Sequence, residues 1–330
     1  MATIKDIAKV VGVSKSTVSR VVSGHGSCKP DTKAKILKAM REMNYTPNHH
    51  ARAMVTKKTG IIGVIIYRKH MPIISHPYYG AILDAIATET RKAGYSIMIM
   101  TDDEATMDVG DQFIRHRVDG LILLSRVTEE LINYYQQTSI PFVLINNTAI
   151  VKGTTYIVND DYQGAYDAAI HLISKGYKTI AYISGPLEHR SYRLRWEGFQ
   201  AALQDHGAAV KMGLTYIGDS GVETGITGAA SILQTNDKPD AVFASNDMIA
   251  IGALQVFHSL GLQVPRDIAV MGFDDIYFSQ YTTPALTTVA VDKKQMGTLA
   301  VQKLLTMLES QRTENESIIL PPRVIARDST

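Results

Sequence analysis

Four short polar segments hold the side chains best able to do chemistry on a small molecule. They are His76-Pro77-Tyr78-Tyr79-Gly80, Arg190-Ser191-Tyr192-Arg193-Leu194-Arg195-Trp196-Glu197-Gly198-Phe199, Ser245-Asn246-Asp247 and Gly272-Phe273-Asp274-Asp275. All four follow apolar runs of strand type, and ligands of open α/β sheets bind beyond the C-terminal strand ends. A guanidinium, an amide and a carboxylate converging there can each serve two adjacent hydroxyls, and a tyrosine can offer a flat face to a sugar ring or a base. Asn146, at the end of the run Phe142–Ile145, is a weaker member of the same set. The alternative for Arg195 and Asp274, less favoured than a ligand role, is a structural pair with each other, and Asp247 reads as a helix cap rather than a ligand contact.

No catalytic constellation accompanies these residues. The chain has no Gly-x-Ser-x-Gly elbow, no Gly-Lys-Ser/Thr phosphate loop and no His-Glu-x-x-His. Gly-x-Gly-x-x-Gly is missing after the first strand, so no nucleotide cofactor is expected, and an enzyme is the least favoured reading. Asp274-Asp275 is not an acid/base pair, because adjacent side chains diverge. The single cysteine excludes an internal disulfide framework. His49-His50 has no spaced third ligand and reads as polar surface.

A second constellation lies near the start. Lys15, Ser16, Ser19, Arg20 and Ser23 share one face of the segment Lys15 to Val22, opposite Val18, Val21 and Val22. That face carries short hydroxyls, two cations and no acid, which suits a helix entering a major groove. The elements that must position it follow from spacing. Ile4, Ile7, Ala8 and Val11 recur at helical period behind Thr3 and Asp6, and Gly12 breaks the pattern. Ser14 caps the next helix. A third runs from Asp31 with Ile36, Leu37, Met40 and Met43 facing in. The three make a helix-turn-helix unit.

Charge sets this unit apart. The net charge of 330 residues is +2, but residues 1–60 hold twelve Lys or Arg against three Asp or Glu, and the remainder holds 22 against 29. A strongly basic unit is joined to an acidic body, which points to a polyanion partner for the former alone. From Gly60 onward, strands at Ile61–Tyr67, Ser96–Met100, Gly120–Leu124 and Phe142–Ile145 alternate with helices starting near Tyr78, Met107 and Glu129. A second series has strands at Thr179–Ser184, Leu214–Ile217, Ala241–Ala244 and Ile268–Phe273, with helices near Tyr162, Ser191, Thr224 and Asp247. This alternation predicts α/β architecture with two doubly wound parallel sheets. No apolar run is long enough for a membrane span and no signal peptide is visible, so a cytoplasmic location is expected.

The stretches TIKDIAKVVGVSKSTVSRVVSG and YTPNHHARAM resemble the lactose/galactose repressor (LacI/GalR) family of bacterial transcription regulators, and the resemblance extends over the whole chain. It implies a helix-turn-helix domain over 1–46, a hinge helix and linker over 47–59, and a two-lobed, periplasmic-binding-protein-like core over 60–330. One lobe would take 60–159 and 292–320, the other 160–291 and 321–330. The chain would cross between lobes near Asn159, Val291 and Pro321-Pro322. By the same resemblance Lys15, Ser16, Thr17, Ser19 and Arg20 face bases or phosphates, and Thr3, Lys5, Asn48 and Ala51 approach the DNA backbone. Met54 takes the place of the leucine that wedges between base steps; methionine is an accepted wedge, though more flexible. Arg195, Asn246 and Asp274 are implied effector contacts, joined by Tyr79 and Asn146. Ser220 follows Gly218-Asp219 where ring-stacking members carry an aromatic, which favours a sugar over a purine. The implied function is a repressor binding near-palindromic double-stranded operator DNA as a homodimer, without cofactor or membrane. The alternative is a sugar-binding protein with no operator function.

Overall fold

The computed structural model describes residues 2–23, 28–45, 58–67, 74–105, 114, 117–146, 151–312 and 315–330. Of the hinge helix and linker expected over 47–59, residues 47–57, with Asn48, Ala51, Met54 and the His49-His50 pair, lie outside the described residues, as does most of the helix expected near Met107. The chain divides into a small unit ending at Gly60 and a large unit beginning at Ile61.

Three helices build the small unit: α1 (Ile4–Val11), α2 (Lys15–Ser23) and α3 (Pro30–Glu42). Thr3 and Asp6 close a capping box at the start of α1, with the Thr3 amide donating to the Asp6 carboxylate at 2.9 Å. Gly12 ends the helix at φ +71°, a left-handed conformation that glycine adopts without strain. Ser14 Oγ accepts the Thr17 amide at 3.1 Å and so caps α2. Pro30 starts α3 one residue ahead of the expected Asp31, because a missing amide hydrogen costs nothing at a first helical position. Ile7, Val18 and Ile36 are fully buried at the junction of the three helices. Leu37, expected to face this core, is instead 40% exposed; Ala39 takes the inward position because it lies three residues from Ile36 on the same face.

The large unit holds two parallel sheets. The first has six strands, β1 (Ile61–Ile66), β2 (Ser96–Thr101), β3 (Gly120–Leu124), β4 (Phe142–Ile145), β5 (Thr155–Asn159) and β11 (Ser317–Leu320), in the order β11-β5-β4-β3-β1-β2. The second has four, β6 (Ile180–Ser184), β7 (Thr215–Ile217), β8 (Ala241–Ala244) and β9 (Ala269–Met271), in the order β7-β6-β8-β9. Strands β3, β6 and β8 are buried along their whole length. Their continuous apolar runs are what a sheet covered on both faces requires. The two-sheet, doubly wound α/β architecture expected from the alternation is the one observed.

The covering helices are α4 (Tyr79–Lys92), α5 (Glu129–Gln136), α6 (Asp161–Ser174), α7 (Arg190–Asp205), α8 (Val222–Leu233), α9 (Asp247–Ser259) and α10 (Lys293–Ser310). Helices α8 and α9 meet at glycines. A Cβ on Gly225 would lie 2.0 Å from the Ile249 carbonyl oxygen, and one on Gly252 2.1 Å from that of Val222. The chain leaves the six-stranded sheet after β5, returns through α10 and β11, and leaves again. Strands β10 (Thr288–Ala290) and β12 (Arg323–Ile325), on the second and third of these passages, pair antiparallel with Val289 opposite Val324. Among the described residues no helix is long and apolar enough to cross a membrane.

Candidate functional site

In the small unit the exposed face of α2 holds Lys15, Ser16 and Arg20, with Thr17 and Ser19 half-buried. Ser14 orders the start of this helix: its hydroxyl lies 2.7 Å from that of Ser16 and 2.8 Å from that of Thr17. Arg20 Nε donates to the Ser16 carbonyl at 3.4 Å, which lays the guanidinium back along the face. Thr3 and Lys5 are exposed at the start of α1. The Thr3 hydroxyl is already donated to Asp6 at 2.7 Å, and this bond holds the Asp6 carboxyl below its usual range. The arrangement presents two cations, hydroxyls and a helix N-terminus on one side, and the first turn of α2 has no acid.

In the large unit, the C-terminal ends of both sheets open on one cavity. Tyr79, Asn146, Arg195, Asn246 and Asp274 all line it. At its base Arg195, 3% exposed, donates from Nε to Asp161 Oδ1 at 2.8 Å and from Nη1 to the Ser245 carbonyl at 2.6 Å. Its Nη2 lies 3.1 Å from Asp274 Oδ1, an ion pair outside hydrogen-bond geometry, and Asp274 Oδ1 has no hydrogen-bond donor among the described residues. The guanidinium carbon sits 3.7 Å above the Phe273 ring centroid. Burial opposes the Arg195 charge, but Asp274 and Asp161 more than restore it. Burial likewise pushes the Asp274 carboxyl up to about 6, with Arg195 and Lys293 opposing the rise. Lys293 stands behind Asp274, where its ammonium donates to the carbonyls of Asp274, Asp275 and Val291.

Asn246 carries a load the sequence assigns to its neighbour. Its Oδ1 accepts the Ile249 amide at 2.8 Å, so Asn246 and not Asp247 caps α9. Its Nδ2 donates to the Tyr192 hydroxyl and to the Ser220 carbonyl, both at 3.0 Å. Asp247 points inward, fully buried, and accepts from the Ile276 amide and the Ser279 and Thr288 hydroxyls. Its carboxyl is pushed up to about 7 by burial. A residue one position into the helix faces the packing side, whereas the cap must curl back over the first turn. Asp275 is held by Arg327 at 2.6 Å, so the two adjacent aspartates point to different partners.

The opposite wall comes from the six-stranded sheet. Tyr79 is 6% exposed, with its hydroxyl 2.8 Å from that of Ser125 and its ring packed against His76 and edge-on to Tyr78. The flat face expected of Tyr79 is therefore largely shared with these neighbours. Asn146 reaches across the cleft, where its Oδ1 accepts the Ser191 hydroxyl at 3.2 Å. The Tyr78 hydroxyl accepts from Asn159 at 3.1 Å and Asn146 at 3.4 Å. Ser125, Asn146, Asp274 and Asp275 all adopt positive φ at strand ends, Asp274 at +108°. Such backbone costs on the order of 1–3 kcal/mol each and persists where surrounding structure enforces it. The Asp274 amide bond to the Val289 carbonyl, 2.8 Å, and Lys293 on its carbonyl supply that enforcement. Tyr78, Ser191 and Tyr192 lie inside the polar segments that the sequence marks, with no individual signal of their own. Asp161 and Lys293 carry no sequence signal, since only the fold brings them to Arg195 and Asp274.

Residues 3–48 match the model of the bacterial regulatory proteins, lacI family, and residues 169–330 match a periplasmic binding protein-like domain. The whole chain aligns with 98% of the probable HTH-type transcriptional repressor ExuR of Bacillus subtilis at 34% identity. This chain belongs to the LacI family. Among solved LacI-family structures, it is similar to a lac repressor dimer bound to operator and the anti-inducer ONPF, at 27% identity and a TM-score of 0.87 over 100% of this chain and 99% of that one. It is also similar to a complex of the transcriptional regulator CelR with cellobiose, at 25% identity and a TM-score of 0.76, covering 100% of both chains. The LacI-family relatives named are transcriptional regulators and not enzymes.

Proposed function

We propose that this LacI-family chain is a repressor that binds a near-palindromic double-stranded operator as a homodimer and changes its DNA affinity when a sugar or sugar derivative occupies the cavity. The observation that carries the effector half is the buried ion pair of Arg195 and Asp274, with Asp274 Oδ1 making no hydrogen bond among the described residues, in a cavity walled by both sheets. A hydroxyl of the ligand supplies the donor, and Arg195 and Asn246 serve its neighbours. Ser220 lines the cavity in place of an aromatic, which removes one stacking surface for a purine and favours a sugar. The DNA half is carried by α2, through Lys15, Ser16, Thr17, Ser19 and Arg20, with Thr3 and Lys5 beside it. Asn48, Ala51 and Met54 are assigned to the same interface on the resemblance alone.

The mechanism is a population shift between two arrangements of the sheets. Asn146 and Ser191 already touch across the cleft, so a ligand that bonds both walls biases their spacing. β1 begins directly after the DNA-binding unit, so that bias reaches the segment joining the two units. The reading is supported by the repressors among its relatives, by an operator-bound dimer among similar structures and by a sugar in another. Fluorescence anisotropy on selected genomic fragments tests it. The expected result is salt-sensitive binding whose affinity moves with one sugar of a panel, and binding insensitive to every sugar overturns the effector half.

A further inference from the structure

The cavity holds a cation with no carboxylate to neutralise it among the described residues. Arg195 and Lys293 are matched by Asp161, Asp274 and the backbone carbonyls around Asp274. Arg126, which follows β3 and lines the same cavity, has no ion-pair partner among the described residues, and its buried Nε has no hydrogen-bond partner there. Its guanidinium carbon lies 5.7 Å from the Tyr67 ring centroid, which holds the side chain without neutralising it. Burial raises the Tyr79 and Tyr192 hydroxyls, and the Arg126 charge works against both rises. It is therefore within electrostatic reach of tyrosines from both walls. The facing wall is the start of α7, a 16-residue helix whose N-cap, His189, makes no side-chain cap hydrogen bond. Ser191 and Tyr192, in its first turn, line the cavity. A buried guanidinium nitrogen lacking an acceptor is costly unless a ligand provides one, and a helix N-terminus favours the same charge.

We propose that the effector is a sugar bearing an anionic group, a carboxylate or a phosphate, which Arg126 and the start of α7 receive while Asp274, Arg195 and Asn246 take its hydroxyls. This rests on the sugar-effector reading and adds the charge. The anion bridges the six-stranded-sheet wall, through Arg126, to the four-stranded-sheet wall, through α7. An anionic sugar therefore gains its largest contacts when the walls are close, which couples recognition to closure.

The test is calorimetric titration of the full chain with three probe sets: neutral hexoses, the corresponding sugar acids and hexose phosphates. Wild-type protein is expected to bind a member of one anionic set at least about tenfold tighter than its neutral parent. Arg126→Met should lose on the order of 10- to 100-fold of the anion's affinity, the range of a charge-assisted hydrogen-bonded pair, while Arg126→Lys keeps part of it. Melting of each variant without ligand confirms the fold. Sugar acids binding and phosphates failing, or the reverse, identifies the anion and supports the proposal either way. A neutral sugar binding as tightly as its anions, with loss on Asp274→Asn and none on Arg126→Met, overturns the anion subsite and leaves the sugar reading standing. If no sugar of any set binds, both fall.

Discussion

Replacing Asp274 by asparagine separates what this residue does for the fold from what it does for a ligand. Burial raises the Asp274 carboxyl from the usual 3.8 to about 6, with the favourable fields of Arg195 and Lys293 already included. Ionising it inside the fold therefore costs roughly 3 kcal/mol more than in water, at about 1.4 kcal/mol per tenfold in proton affinity. A carboxyl whose folded value lies above its unfolded one favours folding while protonated, and by linkage that contribution is lost as pH rises from about 4 through 6. Asparagine keeps the shape and cannot ionise. At pH 7.5 the Asp274→Asn variant should be more stable by up to roughly 3 kcal/mol, or about 5–10 °C in melting temperature for a unit of this size. The gain should fall to about half at pH 5 and vanish below about pH 4. Thermal melts at these pH values, with and without effector, are the assay. The same substitution should abolish the effector response, because a side-chain amide has one acceptor oxygen where the carboxylate has two and cannot accept from two hydroxyls in the same way. A variant that melts lower than wild type at pH 7.5, or whose gain is the same at pH 5, refutes the claim that Asp274 is kept charged for a ligand at the expense of the fold.

Arg20→Ala should weaken operator binding by about 10- to 100-fold, the value of one bidentate base contact, and flatten discrimination at one base position, as read by anisotropy against single-base operator variants. Gly252→Ala places a Cβ 2.1 Å from the Val222 carbonyl oxygen and should destabilise the core by at least about 1–3 kcal/mol in melting experiments, whereas Gly207→Ala, with no neighbour within 4 Å, should show only the cost of its positive φ. Effector affinity should weaken as pH falls through about 6, where Asp274 gains a proton and loses acceptor capacity; calorimetry at about pH 5 and 7.5 should show proton release on binding at the lower pH.

What could be read from sequence followed local physics. The capping box at Thr3 and Asp6, Gly12 as a stop and the Val18 stripe are signals within a few residues of one another, and the helices form where those signals lie. Strands such as Gly120–Leu124 are unbroken apolar runs, which only a doubly covered sheet can bury. The elements without such a signal are short or mixed. Thr155–Asn159 has only Ile157 and Val158 as adjoining aliphatics, and Thr288–Ala290 and Arg323–Ile325 are three residues each, defined by their pairing with one another. Helix α10 has a weak amphipathic pattern because it packs on both α4 and the six-stranded sheet. In the cavity, the polar segments are visible because they follow strands. The roles within them are not: Asn246 takes the cap from Asp247, and Asp161 comes to Arg195 from 34 positions away.

Whether the Asp274 cavity controls the DNA-binding unit is decided by one titration: the affinity of the full chain for its operator, followed as the sugar is added, for wild type and Asp274→Asn side by side. Both proteins should bind operator equally well before any sugar is present, and only wild type should change as it is added. An unchanged wild type, or a variant that responds as wild type does, contradicts a cavity that senses through Asp274.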